Sequence, residues 1–190
     1  MRLATLRTAL LAGLLAAAPA AAEREPPGEA LRELVRAAVA ESASFEDRFD
    51  AEVWLTDMAG RLDDRAFLSA AERLELLRLA HHEATRTGLR PELVLAVIEV
   101  ESNFDRFAIS EAGALGLMQV MPFWLEELDR PRANLMRMET NLRIGTTILR
   151  YYLDMEQGNL RRALARYNGS LGEHWYPDRV FRALNRRWAP

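Results

Sequence analysis

The sequence predicts an all-α protein, on three observations. Apolar residues recur at three- and four-residue steps through most of the chain, and two helix-start signatures stand in front of such runs. No stretch alternates apolar and polar residues as a half-buried strand would. With 190 residues, 49% hydrophobic and 28% charged, the composition is that of a globular protein.

Met1 to Ala22 reads as a secretory signal peptide. Arg2 and Arg7 supply the positive start, residues 9–18 the apolar core, and Ala20 to Ala22 a small-residue cleavage site. That core is too short and too alanine-rich to span a bilayer well. The sequence has no cysteine, so it offers no lipoprotein attachment point, no disulfide and no thiolate metal site. The expectation is a periplasmic protein with no stable membrane anchor. Loss of Arg2 and Arg7 would take the formal charge from −3 to −5. An acidic chain argues against general nucleic-acid binding, which depends on counterion release by cations. The chain has no lysine, a feature with no functional reading.

Residues 23–28 carry two prolines and read as a linker. Residues 29–88 are expected to form an N-terminal helical cap packed on a module spanning 89–190. In the cap, Leu31, Leu34, Val35 and Ala38 make one amphipathic stripe. Phe45, Phe49, Val53, Trp54, Met58 and Leu62 make a second, read as core packing over a helix from Phe45 to Leu62. Ser69 and Glu72 form a capping box that opens a helix through Leu74, Leu77 and His81 to Arg86, with Gly88 placed to stop it. His81 and His82 point about 100° apart on a helix and do not easily share one ion, so they read as structural.

Arg90-Pro91 suits the next helix start, since proline at the first helical position loses no hydrogen bond. From Leu93 to Val100 the run is almost wholly apolar, the mark of a helix buried on most sides. Glu92 and Glu99 share one stripe, the natural solvent face. Glu101 lies about 200° around the helix from Glu99. That sets it with Val94, Val97 and Ile98, on the apolar side. A carboxylate there must take up a proton or meet a partner, which is how a general acid is made. The plain alternative is a helix-end residue turning back to water.

Beyond Pro122 come a short helix from Phe123 to Leu128, a loop through Pro131, and a long helix from about Glu139 to Glu156. Leu142, Thr146, Leu149 and Leu153 form one face of it, and Gly145 allows a close neighbour. Gly158-Asn159 ends it, Leu160 to Tyr167 is a further helix, and Pro177 opens the last one, through Trp188. Gly113 and Gly116, with small Ala112 and Ala114, either bring backbone close to a ligand or make a tight turn.

Several ordered segments carry a more specific signal: Glu101-Ser102, the A-I-S-E-A-G-A stretch from Ala108, Gly116-Leu117-Met118-Gln119, Met121-Pro122, and Ala165-Arg166-Tyr167-Asn168-Gly169. Together they resemble the catalytic module of soluble-type (family 1) lytic transglycosylases, in the lysozyme-like superfamily, from about Leu89 to Tyr176. The resemblance implies a lysozyme-like helical domain with an N-terminal helical extension, acting on the glycan strands of peptidoglycan without metal or organic cofactor. It implies that Glu101 is the catalytic acid, with Tyr167 beside it as orienting partner. It implies Ser110, Met118 (an apolar floor), Gln119 (a hydrogen-bonding wall), Asn168 and Tyr176 as substrate-binding residues, and a structural Asn141. Two departures stand out. Gly169 follows Asn168 directly, where the family has one intervening residue, and the C-terminal segment is W-Y-P-D-R-V, with Tyr176 the best counterpart of the family tyrosine. Both are expected on the far side of the cleft, at the outer sugar subsites.

Glycoside cleavage usually takes two carboxylates. Glu99 lies on the opposite helix face, Asp105 is placed to cap a turn, and Glu111 sits in an exposed-looking loop, so no firm second carboxylate emerges. A single acid suffices when the substrate supplies the nucleophile. The implied reaction is cleavage of the β-1,4 bond between N-acetylmuramic acid and N-acetylglucosamine, leaving a 1,6-anhydro end. The alternatives are a hydrolytic muramidase using the same acid and a non-catalytic wall-binding module of the same fold. A cell-envelope assembly is a candidate partner that the sequence does not identify.

Overall fold

The computed structural model describes residues 44, 45, 47–62 and 68–189. The leader, the linker and the helix expected around Leu31 to Ala38 lie outside the described residues. Helix α1 (Arg48–Arg61) begins where the Asp47 side chain accepts the N–H groups of Phe49 and Asp50. Its buried face is Ala51, Leu55, Met58 and Ala59. Phe49 and Val53, expected in the core, are 73% and 53% exposed, because at about 100° per residue they lie roughly 180° and 140° around the helix from the buried Met58. Phe45 lies ahead of the helix and stacks on His81, with ring centroids 3.6 Å apart. Burial there pushes His81 down to about 4, so it is held neutral.

Helix α2 (Ala70–Thr87) has the expected capping box and ends on Gly88 at φ 64°. Helix α3 (Pro91–Ser102) follows, with every residue from Leu93 to Ile98 buried. It packs against α2 on one side. On the other it meets helix α7 (Trp175–Ala183) and the π-helical turn Leu184–Trp188 that ends the described chain. The last helix thus starts two residues before Pro177, which sits in the first turn, where no intrahelical N–H is missed. Between them run the short α4 (Phe123–Glu127), the long α5 (Met138–Met155) and α6 (Leu160–Asn168). Helix α5 rests on α2, and α6 bridges α5 to α7. Among the described residues the only β features are isolated bridges, Ile109 to Leu115 and Leu115 to Val120, in the loop after α3. The all-α expectation holds.

The α3 stripe expected to face solvent does not. Trp54 Nε1 of α1 donates to Glu92 at 3.0 Å. Trp188 Nε1 donates to Glu99 at 2.7 Å, and Arg186 adds a bond at 3.1 Å, leaving the Glu99 side chain 8% exposed. Indole N–H and guanidinium groups replace water on these carboxylates, which lets other elements close over a charged stripe.

The loop after α3 is braced from α5. Asn141, 1% exposed, accepts the Met118 N–H at 2.8 Å and donates to the carbonyls of Leu115 and Leu135 at 2.8 and 2.9 Å. Its role is structural, as expected. Gly116, at φ 73°, is where the loop passes this amide: a Cβ would lie 2.4 Å from Asn141 Nδ2. Gly145 does the same for Met118, whose Cβ and Sδ would lie 2.8 and 2.6 Å from an added methyl. Asn141→Ala removes the partner of three buried backbone groups and is expected to cost about 3 kcal/mol, read from urea unfolding. Gly145→Ala is expected to cost about 1–3 kcal/mol in the same assay, since the Met118 backbone must shift to admit it.

Candidate active site

Glu101 sits one residue from the end of α3. The chain then turns off sharply through Asn103 and Phe104 at φ 50° and 70°, both in the left-handed region. Phe104 is fully buried against Trp188, 5.5 Å between ring centroids, and that packing holds the unfavourable backbone. Ser102 Oγ donates to Leu117 O at 2.8 Å and ties the helix end to the loop. Glu101 is therefore fixed from both sides by its neighbours.

Its carboxylate lines an open cleft of about 920 Å³. Ile109, Ser110 and Gln119 of the loop form one wall; Arg179, Arg182 and Arg186, from α7 and the turn after it, form the other. Burial raises the Glu101 carboxyl to about 7, outweighing the Tyr176 hydroxyl and the Arg179 charge, which both pull it down. The group is thus poised to hold a proton at neutral pH and to release it.

The tyrosine bonded to Glu101 is Tyr176. Its side chain is 1% exposed, and its hydroxyl donates to Glu101 Oε1 at 2.5 Å. This corrects the expectation that Tyr176 marks an outer subsite and that Tyr167 orients the acid. Tyr167 is close enough for the Glu101 charge to raise its phenol, already raised by burial. Its hydroxyl, however, donates to Met118 O at 2.7 Å, so it holds the loop. The two tyrosines stand on neighbouring helices, α6 and α7, and each takes the acceptor its own helix faces.

Met118 is also corrected: with 0% of its surface exposed it is core against Gly145, not a floor open to a ligand. Gly116 likewise admits Asn141 rather than a ligand. Gln119 lines the cleft at φ 46°, its amide donating to Ala108 O and Gly116 O at 3.2 and 3.0 Å. Ser110 lines it too, its Oγ accepting the Ala114 N–H at 3.0 Å. Asn168 closes α6 and is not among the residues lining this cleft.

Of the carboxylates considered as a second acid, Glu99 does reach the cleft lining but is engaged by Trp188 and Arg186. Asp105 accepts the Phe107 N–H at 2.8 Å in a tight turn, and Glu111 is exposed. Glu101 is the carboxylate that combines burial, an aromatic hydroxyl partner and cleft exposure. The arginine wall went unread in the sequence, although Arg179, Arg182 and Arg186 recur at steps of three and four, the spacing that gathers side chains on one helix face. Among the described residues no group of histidine, aspartate and glutamate side chains could hold a metal ion.

The chain is 42% identical over 65 residues to the membrane-bound lytic murein transglycosylase C of Actinobacillus pleuropneumoniae serotype 5b (strain L20), covering 34% of this chain and 16% of that protein. It is 33% identical over 112 residues to the protein of the same name from Yersinia pestis (strain Pestoides F), covering 50% of this chain and 31% of that one. The chain thus spans less than a third of the length of either relative. The solved structure of an inactive mutant of lytic transglycosylase Slt from Pseudomonas aeruginosa aligns with 84% of this chain and 34% of that one, at 22% identity and a TM-score of 0.48. The profile of the Transglycosylase SLT domain matches residues 78–186, more than half of the chain and the whole of the cleft just described, and the chain belongs to that family.

Proposed function

We propose that this protein is a peptidoglycan lytic transglycosylase with Glu101 as its single catalytic acid and base. The observation that carries the reading is the Glu101 carboxyl itself, raised to about 7 by burial, held by Tyr176 and open to a cleft. Glu101 protonates the oxygen of the β-1,4 bond as it breaks at the anomeric carbon of N-acetylmuramic acid. Positive charge develops there, and the 2-acetamido group of the same sugar can supply the nucleophile. Glu101, now a carboxylate, takes the proton of the C6 hydroxyl, whose oxygen closes on the anomeric carbon to leave a 1,6-anhydro end. The proton balance closes on one residue.

Tyr176 is the positioning residue: its hydroxyl fixes one carboxyl oxygen and stabilises the charged form between the two steps. Tyr167 acts one step further out, holding the loop that carries Gln119 through Met118 O. Ser110 and Gln119 are assigned to the sugar-facing wall. Asn168 is assigned to an outer subsite. The substrate assignment draws on the family and on the relatives, which are named as murein transglycosylases. The leader-like Met1 to Ala22 supports export to the cell envelope. Among the described residues no helix is long and apolar enough to cross a membrane. The division into a helical cap, 29–88, and a catalytic module, 89–190, is kept as the working description.

Digestion of purified sacculi, with mass spectrometry of the products, is expected to give 1,6-anhydro ends; reducing ends would instead identify a hydrolytic muramidase. Glu101→Gln is expected to lower turnover by about 10²–10⁴-fold, the span of general acid–base catalysis, and undiminished turnover would remove the assignment. Tyr176→Phe is expected to lower kcat about 10- to 100-fold, as loss of a hydrogen bond to a charged group should, and to move the alkaline limb of the pH profile upward. The sign follows because that hydroxyl favours the carboxylate. Stability provides an independent check. The Glu101 carboxyl is raised from 4.5 to about 7 in the folded protein, so the native state binds the extra proton and loses stability as pH rises through that window. Glu101→Gln, which never ionises, should therefore gain in Tm over the wild type between pH 4.5 and 8.

A further inference from the structure

No arginine of the wall gives or takes a proton in the proposed chemistry, although the Arg179 charge is felt at Glu101. Arg179, Arg182 and Arg186 all line the cleft that holds Glu101, in a chain whose formal charge is −3. Arg186 is engaged with Glu99. Arg182 spends one N–H, its Nε, on Asp178 O at 3.2 Å, within its own helix. Arg179 makes no hydrogen bond or ion pair among the described residues, and its charge is felt at Glu101. Both Arg179 and Arg182 are exposed, so their guanidinium groups are available to something entering the cleft. Two acids share this space, but Glu99 is matched by Arg186 and Trp188, and Glu101, raised to about 7, carries only part of a charge near neutrality. The wall is left with net positive charge.

A glycan chain of N-acetylated sugars is neutral along its backbone. Its negative charge is carried by carboxylates on the muramic acid substituent: the lactyl group itself, or the acidic peptide stem built on it. Guanidinium groups pair with carboxylates in a planar, two-point geometry that hydroxyls and acetamides do not match. The loop wall opposite, with Ile109, Ser110 and Gln119, offers polar and apolar contacts but no cation. The two walls therefore sort one substrate by chemistry, sugar rings toward the loop and charged substituent toward α7.

We infer that Arg179 and Arg182 form a subsite for carboxylates borne on the muramic acid substituent, and that the peptide stem is the part of the substrate it reads. The inference rests on the peptidoglycan reading above and adds to it a preference for charged stems. The arginines lie along a helix face at a spacing of three residues. Their contribution falls on binding, not on the proton transfers.

Synthetic tetrasaccharides carrying tripeptide stems test this, compared as free acids, as primary amides, and as stem-free chains that keep only the lactyl carboxylate. With the full-length protein, kcat/KM is expected to be about tenfold higher for the acid than for the amide, chiefly through KM, the scale of one or two charge-assisted contacts. The stem-free chain should resemble the amide; if it matches the acid, the lactyl carboxylate is the one read and the stem assignment falls. Arg179→Ala/Arg182→Ala should bring the acid-to-amide ratio close to one, and Arg179→Lys/Arg182→Lys should restore part of it. Equal handling of acid and amide by the wild type overturns the subsite whatever the variants do. Calorimetric binding of the same pair to Glu101→Gln reads the subsite without turnover. Preferential acid binding upholds it even if the wild type cleaves nothing, an outcome that would strike only the catalytic reading; equal binding rejects it.

Discussion

The bond from Tyr176 to Glu101 spans 75 positions of sequence and joins the end of α3 to α7, and the chemistry proposed for the cleft depends on its balance with burial. Burial alone would drive the carboxyl far enough up to make it a reluctant acid, slow to give its proton to the leaving oxygen. A strong ion pair would drive it far enough down to leave it ionised at neutral pH, with no proton to give and little basicity for the second step. A phenol hydroxyl is an intermediate solution, since it favours the charged form without supplying a full charge. Arg179 adds a weak pull from an exposed position, where solvent screens it. Burial wins by a modest margin, and the group comes to rest at about 7.

Helix α3 shows the same device used for structure. Three of its carboxylates meet aromatic donors from three different elements: Glu92 with Trp54 of α1, Glu99 with Trp188 of the C-terminal turn, and Glu101 with Tyr176 of α7. The first two also have guanidinium neighbours within 4 Å, Arg90 at 3.7 Å and Arg186 at 3.1 Å, and they serve to lock α1 and the C-terminal turn onto the central helix. Glu101 has no such ion pair among the described residues. That difference separates the carboxylate proposed to react from two that hold the fold.

How much of this could be read from the chain alone follows from what periodicity encodes. A repeat of three and four gives the faces of one helix, and capping residues give its ends; hence α2 is found with its start and stop signals, α3 with its start, and Glu101 on the apolar side. Periodicity does not say what will cover a polar face. Glu92 and Glu99 look solvated because the tryptophans that cover them lie 38 positions before and 89 positions after. The pairing of Tyr176 rather than Tyr167 with Glu101 is likewise a matter of which helix faces which, settled only when α6 and α7 are docked. Gly116 and Met118 look like ligand contacts for a related reason. Both mark a close approach, but the approaching groups are Asn141 and Gly145 of α5, and neither is legible from the loop. Phe49 and Val53 fail differently: steps of four drift around a helix, so these two lie on the side away from Met58 and the other buried residues of α1.

The two walls of the cleft differ in stiffness as well as charge, and the difference suits a substrate with one constant part and one variable part. The loop wall is over-determined. Gln119 sits at positive φ with its amide bonded back to the loop, Ser110 accepts an N–H within the same turn, and Asn141, Ser102 and Tyr167 pin the backbone from three helices. Sugar rings repeat without variation, and a rigid wall can fix one ring close to the acid with little entropy lost on binding. The opposite wall consists of long arginine side chains on an ordered helix, with no tertiary hydrogen bond holding Arg179 or Arg182 among the described residues. Such groups lose rotamer freedom when they bind, so each contributes modestly, but they can follow a charged substituent whose length and reach differ from one sugar to the next. On the proposed reading, position is set where the bond would break, and adaptability is placed where the substrate varies.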